Sequence, residues 1–174
     1  VILTYNALPD MPSEAGIAFI WNALPSAYRL ALNTNSGSVN DGLGEQRLNW
    51  IRGDQSREGT TLGTFRIRNT SLLGDIVNSN PQFVGKPAGG FIGSDYVDFT
   101  ATWAARLPMV YVGSNDGMLH GFSAADGTEK LAFVPSRLMS TWSRLPDQGL
   151  VHQYQVDGSP IIRDAKVNGA WKTL

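Results

Sequence analysis

The stretch Pro108-Met109-Val110-Tyr111-Val112-Gly113-Ser114-Asn115-Asp116-Gly117-Met118-Leu119-His120-Gly121-Phe122-Ser123-Ala124-Ala125-Asp126-Gly127-Thr128-Glu129-Lys130-Leu131-Ala132-Phe133-Val134 decides the fold. It holds three short runs rich in strand formers, at 109–113, 118–124 and 129–134. Asp116-Gly117 and Asp126-Gly127 separate them. Asp-Gly between apolar runs is a strong hairpin signal, because a tight turn needs positive φ and glycine adopts it without steric cost. The expected product is a three-stranded antiparallel meander. Such a sheet has two faces to cover and therefore implies neighbours.

Composition points the same way. The chain has 174 residues, enough for one sizeable core, and its 19 glycines favour a turn-rich β protein over a helical one. Only 17% of residues are charged and the net charge is −1, so there is neither a nucleic-acid footprint nor a basic membrane-surface run. The absence of cysteine is compatible with an exported protein. No apolar run approaches the roughly 18 residues of a bilayer span. The chain begins at Val1 and ends in what reads as the middle of a strand, so a piece of a longer protein is expected.

Two segments flank the meander with a shared pattern. Val77-Asn78-Ser79-Asn80-Pro81 and Val156-Asp157-Gly158-Ser159-Pro160 align position by position, 79 residues apart. Each reads as an acidic or amide turn, a small residue, then Pro at the first residue of a strand, where its missing N–H does no harm. They are expected to open two successive blades of a β-propeller, with the meander as most of the first. The interval exceeds the usual blade period of roughly 40 to 50 residues. Insertions at 85–107 and 135–149 account for the excess. The second of these places Leu138, Trp142 and Leu145 at helical spacing after Pro135. Asn168-Gly169 then marks a hairpin in the second blade, which begins but does not finish here. The expected fold is mainly β: about one and a half blades of antiparallel meander, with short helical insertions. Residues 1–63 are read as an upstream segment and 64–174 as the first blades.

In the upstream segment, 1–5 is a β-prone run that Leu8-Pro9-Asp10 and Pro12 end. Residues 16–21 and 28–32 are expected as two strands joined across Leu24-Pro25-Ser26, at the edge of another sheet or the close of an upstream domain. The polar stretch 33–44 is a loop. Asn33, Asn35, Gly37 and Asp41 fall at i, i+2, i+4 and i+8, the spacing with which calcium loops gather oxygen ligands. Only Asp41 is a carboxylate, and a polar loop without metal is the simpler reading. Residues 45–53 read as a helix with Leu48 and Ile51 on its apolar side and Gly53 as its stop. Arg52-Gly53-Asp54 spells the tripeptide that some extracellular ligands present to integrins. A helix cap with glycine in the left-handed conformation is the preferred reading.

No catalytic constellation stands out. The two histidines, His120 and His152, lack a second ligand at recognisable spacing, and neither a nucleophile elbow nor a phosphate-binding glycine loop is present. His120, mid-strand, is read as a packed or edge histidine.

Taken together, Leu73-Gly74-Asp75-Ile76-Val77-Asn78-Ser79-Asn80-Pro81, Val110 to His120 with Phe122, and Tyr154-Gln155-Val156-Asp157-Gly158-Ser159-Pro160 resemble the C-terminal propeller of the PilC/PilY family of type IV pilus tip-associated adhesins and assembly factors. Trp50-Ile51-Arg52-Gly53-Asp54 matches what leads into that propeller, so the resemblance covers about residues 45–174. It implies a non-enzymatic protein at the pilus tip or outer surface, exported through the periplasm. Pilin or minor pilin subunits would be its partners, with roles in opposing pilus retraction, in surface attachment and in twitching motility. Some members carry regulatory calcium loops and an Arg-Gly-Asp proposed to engage host integrins. Arg52, Gly53 and Asp54 match the latter, whereas the 33–41 loop departs from a calcium loop at its first three ligand positions. The rival is a propeller of the quinoprotein type, whose repeats also read Val-Tyr-Val-Gly-x-x-Asp-Gly-x-Leu. Here Gly127 and Thr128 stand in reversed order, and Phe133 occupies the place of that family's docking Trp. A third reading is a propeller scaffold with no adhesive role of its own.

Overall fold

A computed structural model describes residues 1–5 and 16–174. In chain order the elements are β1 (Ile2–Thr4), β2 (Ile17–Ala18), a 3-10 turn (Trp21–Ala23), α1 (Ser26–Asn33), α2 (Gly44–Ile51), β3 (Gln82–Val84), α3 (Ser94–Thr102), β4 (Met109–Ser114), β5 (Met118–Ser123), β6 (Glu129–Val134), a second 3-10 turn (Ser136–Leu138) running into α4 (Met139–Trp142), and the hairpin of β7 (Asp164–Val167) and β8 (Ala170–Thr173). The fold is mainly β, a partial propeller with short helices.

The three expected strands form the antiparallel meander β4-β5-β6, and β3 pairs antiparallel with β4 immediately after Pro81. The blade thus has four consecutive antiparallel strands. The turn at Asp116-Gly117 is one residue longer than the Asp-Gly signal alone suggests. Ser114 pairs with Met118, and the loop is Asn115-Asp116-Gly117, with the left-handed conformation at Gly117 alone (φ +94°). The Asp116 carboxylate accepts the Met118 N–H and stabilises this wider loop. Asn168-Gly169, in contrast, is a true two-residue turn with positive φ at both positions.

Two upstream expectations are corrected. Residues 28–32 belong to a helix, not a strand. Tyr28 and Leu32 are both buried, and their i, i+4 spacing puts them on one face of α1, while Ala, Arg and Leu between them are good helix formers. Within 16–21 only Ile17–Ala18 is strand, and the chain then coils into the first 3-10 turn. The upstream section does not edge another sheet, because the run at 1–5 pairs with the meander. That run is β1, which joins the outer edge of the blade in parallel with β6 and carries β2 beyond it, giving the order β2-β1-β6-β5-β4-β3. Thr4 fixes this long-range pairing by donating its hydroxyl to the Val134 carbonyl at 2.6 Å. The break foreseen at Leu8-Pro9-Asp10 and Pro12 lies outside the described residues.

One face of the blade carries Met118, Ala132 and Val134 into a core shared with the helices, including Phe19, Tyr28, Leu32, Leu48, Ile51 and Leu145. Trp142 of α4 is fully buried at its centre, edge-on to Phe19 at 5.1 Å and to Tyr28 at 5.6 Å. Residues on both sides of position 63 therefore share one core. Across the opposite face runs the chain from Val156 onward. Gly113 has no side chain because the Val156 carbonyl oxygen would stand 2.2 Å from a Cβ there. On the same face the Tyr111 ring covers Gly121, its cross-strand partner. The meander thus has a neighbour on each face. The insertion 85–107 contributes α3, whose Tyr96 packs against Phe91 and Trp171 and donates its hydroxyl to Asp164, tying the insertion to the second hairpin.

Candidate functional site

Helix α2 positions both site candidates, one at each end. Its inner side is Leu48, Ile51, Trp50 and the stem of Arg47, and its eight residues separate the two candidates by about 12 Å of helix.

At the N-terminal end, the loop from α1 turns back through Asn33, Asn35, Gly37 and Asp41. The structure does bring these residues together, but around protein groups. Asn33 Oδ1 accepts the Gly44 N–H at 2.8 Å. Asn35 Oδ1 accepts the N–H groups of Gly37 and Val39. Asp41 forms a two-pronged ion pair with Arg47, at 2.7 and 2.5 Å, and the same guanidinium donates to the Leu32 carbonyl. The hydrogen bonds from Arg47 hold the Asp41 carboxyl down to about 2. This set does not fit calcium: its single carboxylate is neutralised by Arg47, and its amide oxygens point at backbone donors. Among the described residues no group of three or more His, Cys, Asp or Glu is arranged to hold a metal.

At the C-terminal end, Gly53 has φ +108°. Its N–H donates to the Trp50 carbonyl and the Asp54 N–H donates to the Asn49 carbonyl, both at 2.9 Å. These paired bonds are a Schellman cap, the arrangement that the left-handed glycine makes possible. Arg52-Gly53-Asp54 is thus fixed as the end of α2. Arg52 donates to the Phe19 carbonyl at 2.8 Å, and its residue remains exposed. Asp54 faces solvent, and its carboxyl accepts the Ser56 N–H, the bond that chiefly holds it below the ordinary carboxylate value. Next to the cap, Trp50 is stacked under Arg68 at 3.9 Å, and Arg68 pairs with Glu58 at 2.6 Å.

Two further arrangements surround the turns of the blade. His120 is buried between carboxylates: one ring nitrogen lies 2.6 Å from Glu129, and the other lies 3.1 Å from both oxygens of Asp116. Burial disfavours the imidazolium, but the hydrogen bonds and charges of Asp116 and Glu129 outweigh it and raise the His120 pKa. The histidine is packed, as its mid-strand position suggests. Its two carboxylates were not legible in advance, because Glu129 reaches it diagonally from β6 and only Asp116, four residues back, is near in sequence.

The other arrangement joins the two Pro-marked segments. Asn78 donates through its backbone N–H at 3.1 Å and through its amide to Asp157. Ser79 donates to the Gly158 carbonyl at 3.1 Å, and the Asn80 N–H donates to Ser159 at 2.9 Å. Every one of these bonds links residues 79 apart, so equivalent positions of the two segments lie side by side. Ser79 also receives the Gly113 N–H at 2.8 Å, locking the segment to β4.

Comparison with known proteins agrees with this architecture. The family model described as the PilY1 beta-propeller domain matches residues 73–174. The chain is 40% identical over 173 residues to a protein named type IV pilus biogenesis factor PilY1 from Pseudomonas aeruginosa (strain PAK), a match covering 90% of this chain and 14% of that protein. It is 49% identical over 126 residues to a PilY1 homolog of Xylella fastidiosa (strain Temecula1), covering 68% of this chain and 10% of that one. A crystal structure of the Pseudomonas aeruginosa PilY1 C-terminal domain shares 39% identity over 52% of this chain and 18% of its own, with a TM-score of 0.37. The chain spans about one seventh of the length of its Pseudomonas relatives. On the family model and these identities together, the chain belongs to the PilY1 family.

Proposed function

We propose that this chain is the start of the propeller of a non-enzymatic protein at the tip of a type IV pilus, acting in pilus assembly against retraction and in surface attachment and twitching motility. The observation that carries the reading is the 40% identity, over 90% of the chain, to a protein named as a type IV pilus biogenesis factor. A location outside the cytoplasm accords with a chain that has no cysteine. Pilin or minor pilin subunits are the partners the reading requires. Labelling the full-length protein on sheared pili tests it. Signal at filament ends is expected, and a signal confined to the cytoplasm or the soluble periplasm would overturn it.

A second element of the reading is receptor binding by Arg52, Gly53 and Asp54. Its support is local: Asp54 is exposed and the Schellman cap holds the tripeptide in one conformation. Asp54→Glu keeps the charge and displaces it by one methylene. Host-cell attachment should drop with folding intact; attachment that survives the change leaves the tripeptide as a helix cap and nothing more.

A further inference from the structure

Between the 66–75 segment and the 145–155 segment lies a cavity of about 480 Å³ that neither site candidate uses. Arg66 lines it. Its backbone N–H donates to the Pro146 carbonyl at 2.8 Å and its Nε to the Leu145 carbonyl at 2.7 Å. Its guanidinium lies 4.6 Å from the centre of the Trp50 ring. The head group is thereby held flat and aimed, while its two η nitrogens make no hydrogen bond or ion pair among the described residues. The other charged side chains around the cavity have hydrogen-bonded partners: Arg68 in Glu58, Asp75 in His152 and Asn115, Asp116 in His120. Glu58 and Asp116 act on Arg66 through their charge without bonding to it, so the two η nitrogens of the preorganised fork stay open to a ligand.

A fork of that shape takes a carboxylate in two-pronged fashion, and stacking on an indole reduces the freedom lost on binding. The surroundings further specify the ligand. Ile67 and Leu72, 42% and 47% exposed, flank the cavity and offer apolar contact that a bare inorganic anion would not use. We propose that this cavity binds an acidic peptide segment, a glutamate or aspartate side chain on Arg66 with apolar neighbours against Ile67 and Leu72.

The test compares acetyl-Leu-Glu-Leu-amide with acetyl-Leu-Gln-Leu-amide by calorimetric titration of the full-length protein. The glutamate peptide should bind about tenfold tighter, the scale of a charge-assisted pair against a neutral one. Arg66→Met retains the stem over Trp50 and should abolish that preference. Arg66→Lys retains a charge without the fork and should reduce it severalfold, which covers the case in which the Met variant does not fold. Equal binding of the two peptides by the unaltered protein would overturn the proposal without any variant. So would an undiminished preference in either variant, or displacement of the glutamate peptide by inorganic phosphate at matching concentration, which would make the cavity a site for small anions.

Discussion

Segments 77–81 and 156–160 carry the same pattern and touch through equivalent residues, but they are held differently. The first is clamped from two sides: Ser79 is 4% exposed, donates to Gly158 and accepts from Gly113, and Pro81 leads straight into β3. The second rests on β4 only through Val156 over Gly113 and is hydrogen-bonded along the pattern to the first segment; Ser159 is exposed, and after Pro160 comes Ile161, 78% exposed, with no strand until Asp164. The pattern itself therefore specifies a turn and a lateral contact, and strand formation after it is supplied by a partner to pair with, here β4. The contact is also directional. Most donors lie on the first copy and their acceptors on the second, with the Ser159 hydroxyl donating back to the Asn78 carbonyl at 3.4 Å, and the side-by-side placement of equivalent residues is a head-to-tail relation.

Replacing Gly113 by Val should have the largest effect on this arrangement. It drives a side chain into the Val156 carbonyl and should unseat the second segment at about 3 kcal/mol, read as a lower urea midpoint. An unchanged midpoint would mean the segments do not pack as described. The contrast between the two serines comes next. Ser79→Ala leaves the Gly113 N–H buried and unpaired and should cost about 2 kcal/mol, whereas Ser159→Ala at an exposed site should cost about 0.5. Equal costs would erase the distinction drawn above. Smaller still, Asn78→Asp sets two carboxylates against each other at the surface, a loss of about 1 kcal/mol or less that Asp157→Asn should restore in a double-mutant cycle.

His120 lies in neither segment and provides an internal control. Its pKa is raised above the ordinary 6.5 by Asp116 and Glu129 against the opposing effect of burial. Its contribution is therefore complete below pH 6.5 and fades as pH rises through the raised value. Thermal midpoints should decline over that range in the unaltered protein and flatten in His120→Gln, with the Ser79 and Ser159 difference unchanged at every pH. A slope that persists in His120→Gln assigns the effect elsewhere.

What could be read from the chain follows from how local each signal is. The meander, the Asn168-Gly169 hairpin and the end of α2 at Gly53 rest on residues within a few positions of one another, and they stand where expected. Even the 79-residue offset was visible, because the two segments repeat. Lost to reading were the interactions that depend on which distant residue arrives: β1 against β6, Glu129 beside His120, and Arg47 in place of a cation at Asp41. Tyr28 and Leu32 are ambiguous in the sequence for a different reason. A short apolar run fits period 2 and period 3.6 alike, and only the core beneath α1 chooses between them. The unpaired fork of Arg66 had no sequence signal, since it depends on what every neighbouring charge has already taken.

The parallel pairing of β1 with β6 also bears on the order in which the chain assembles. Thr4 meets Val134 across 130 residues, whereas β4, β5 and β6 are joined by short turns. Closing a loop of that length costs entropy before any contact repays it, so the meander forms early and β1 docks late. A chain made from its N-terminus must carry Ile2–Thr4 without its β6 partner until Val134 exists, with only the nearby β2 to pair with. Between the formation of β6 and the docking of β1, the outer edge of β6 is open to any other strand.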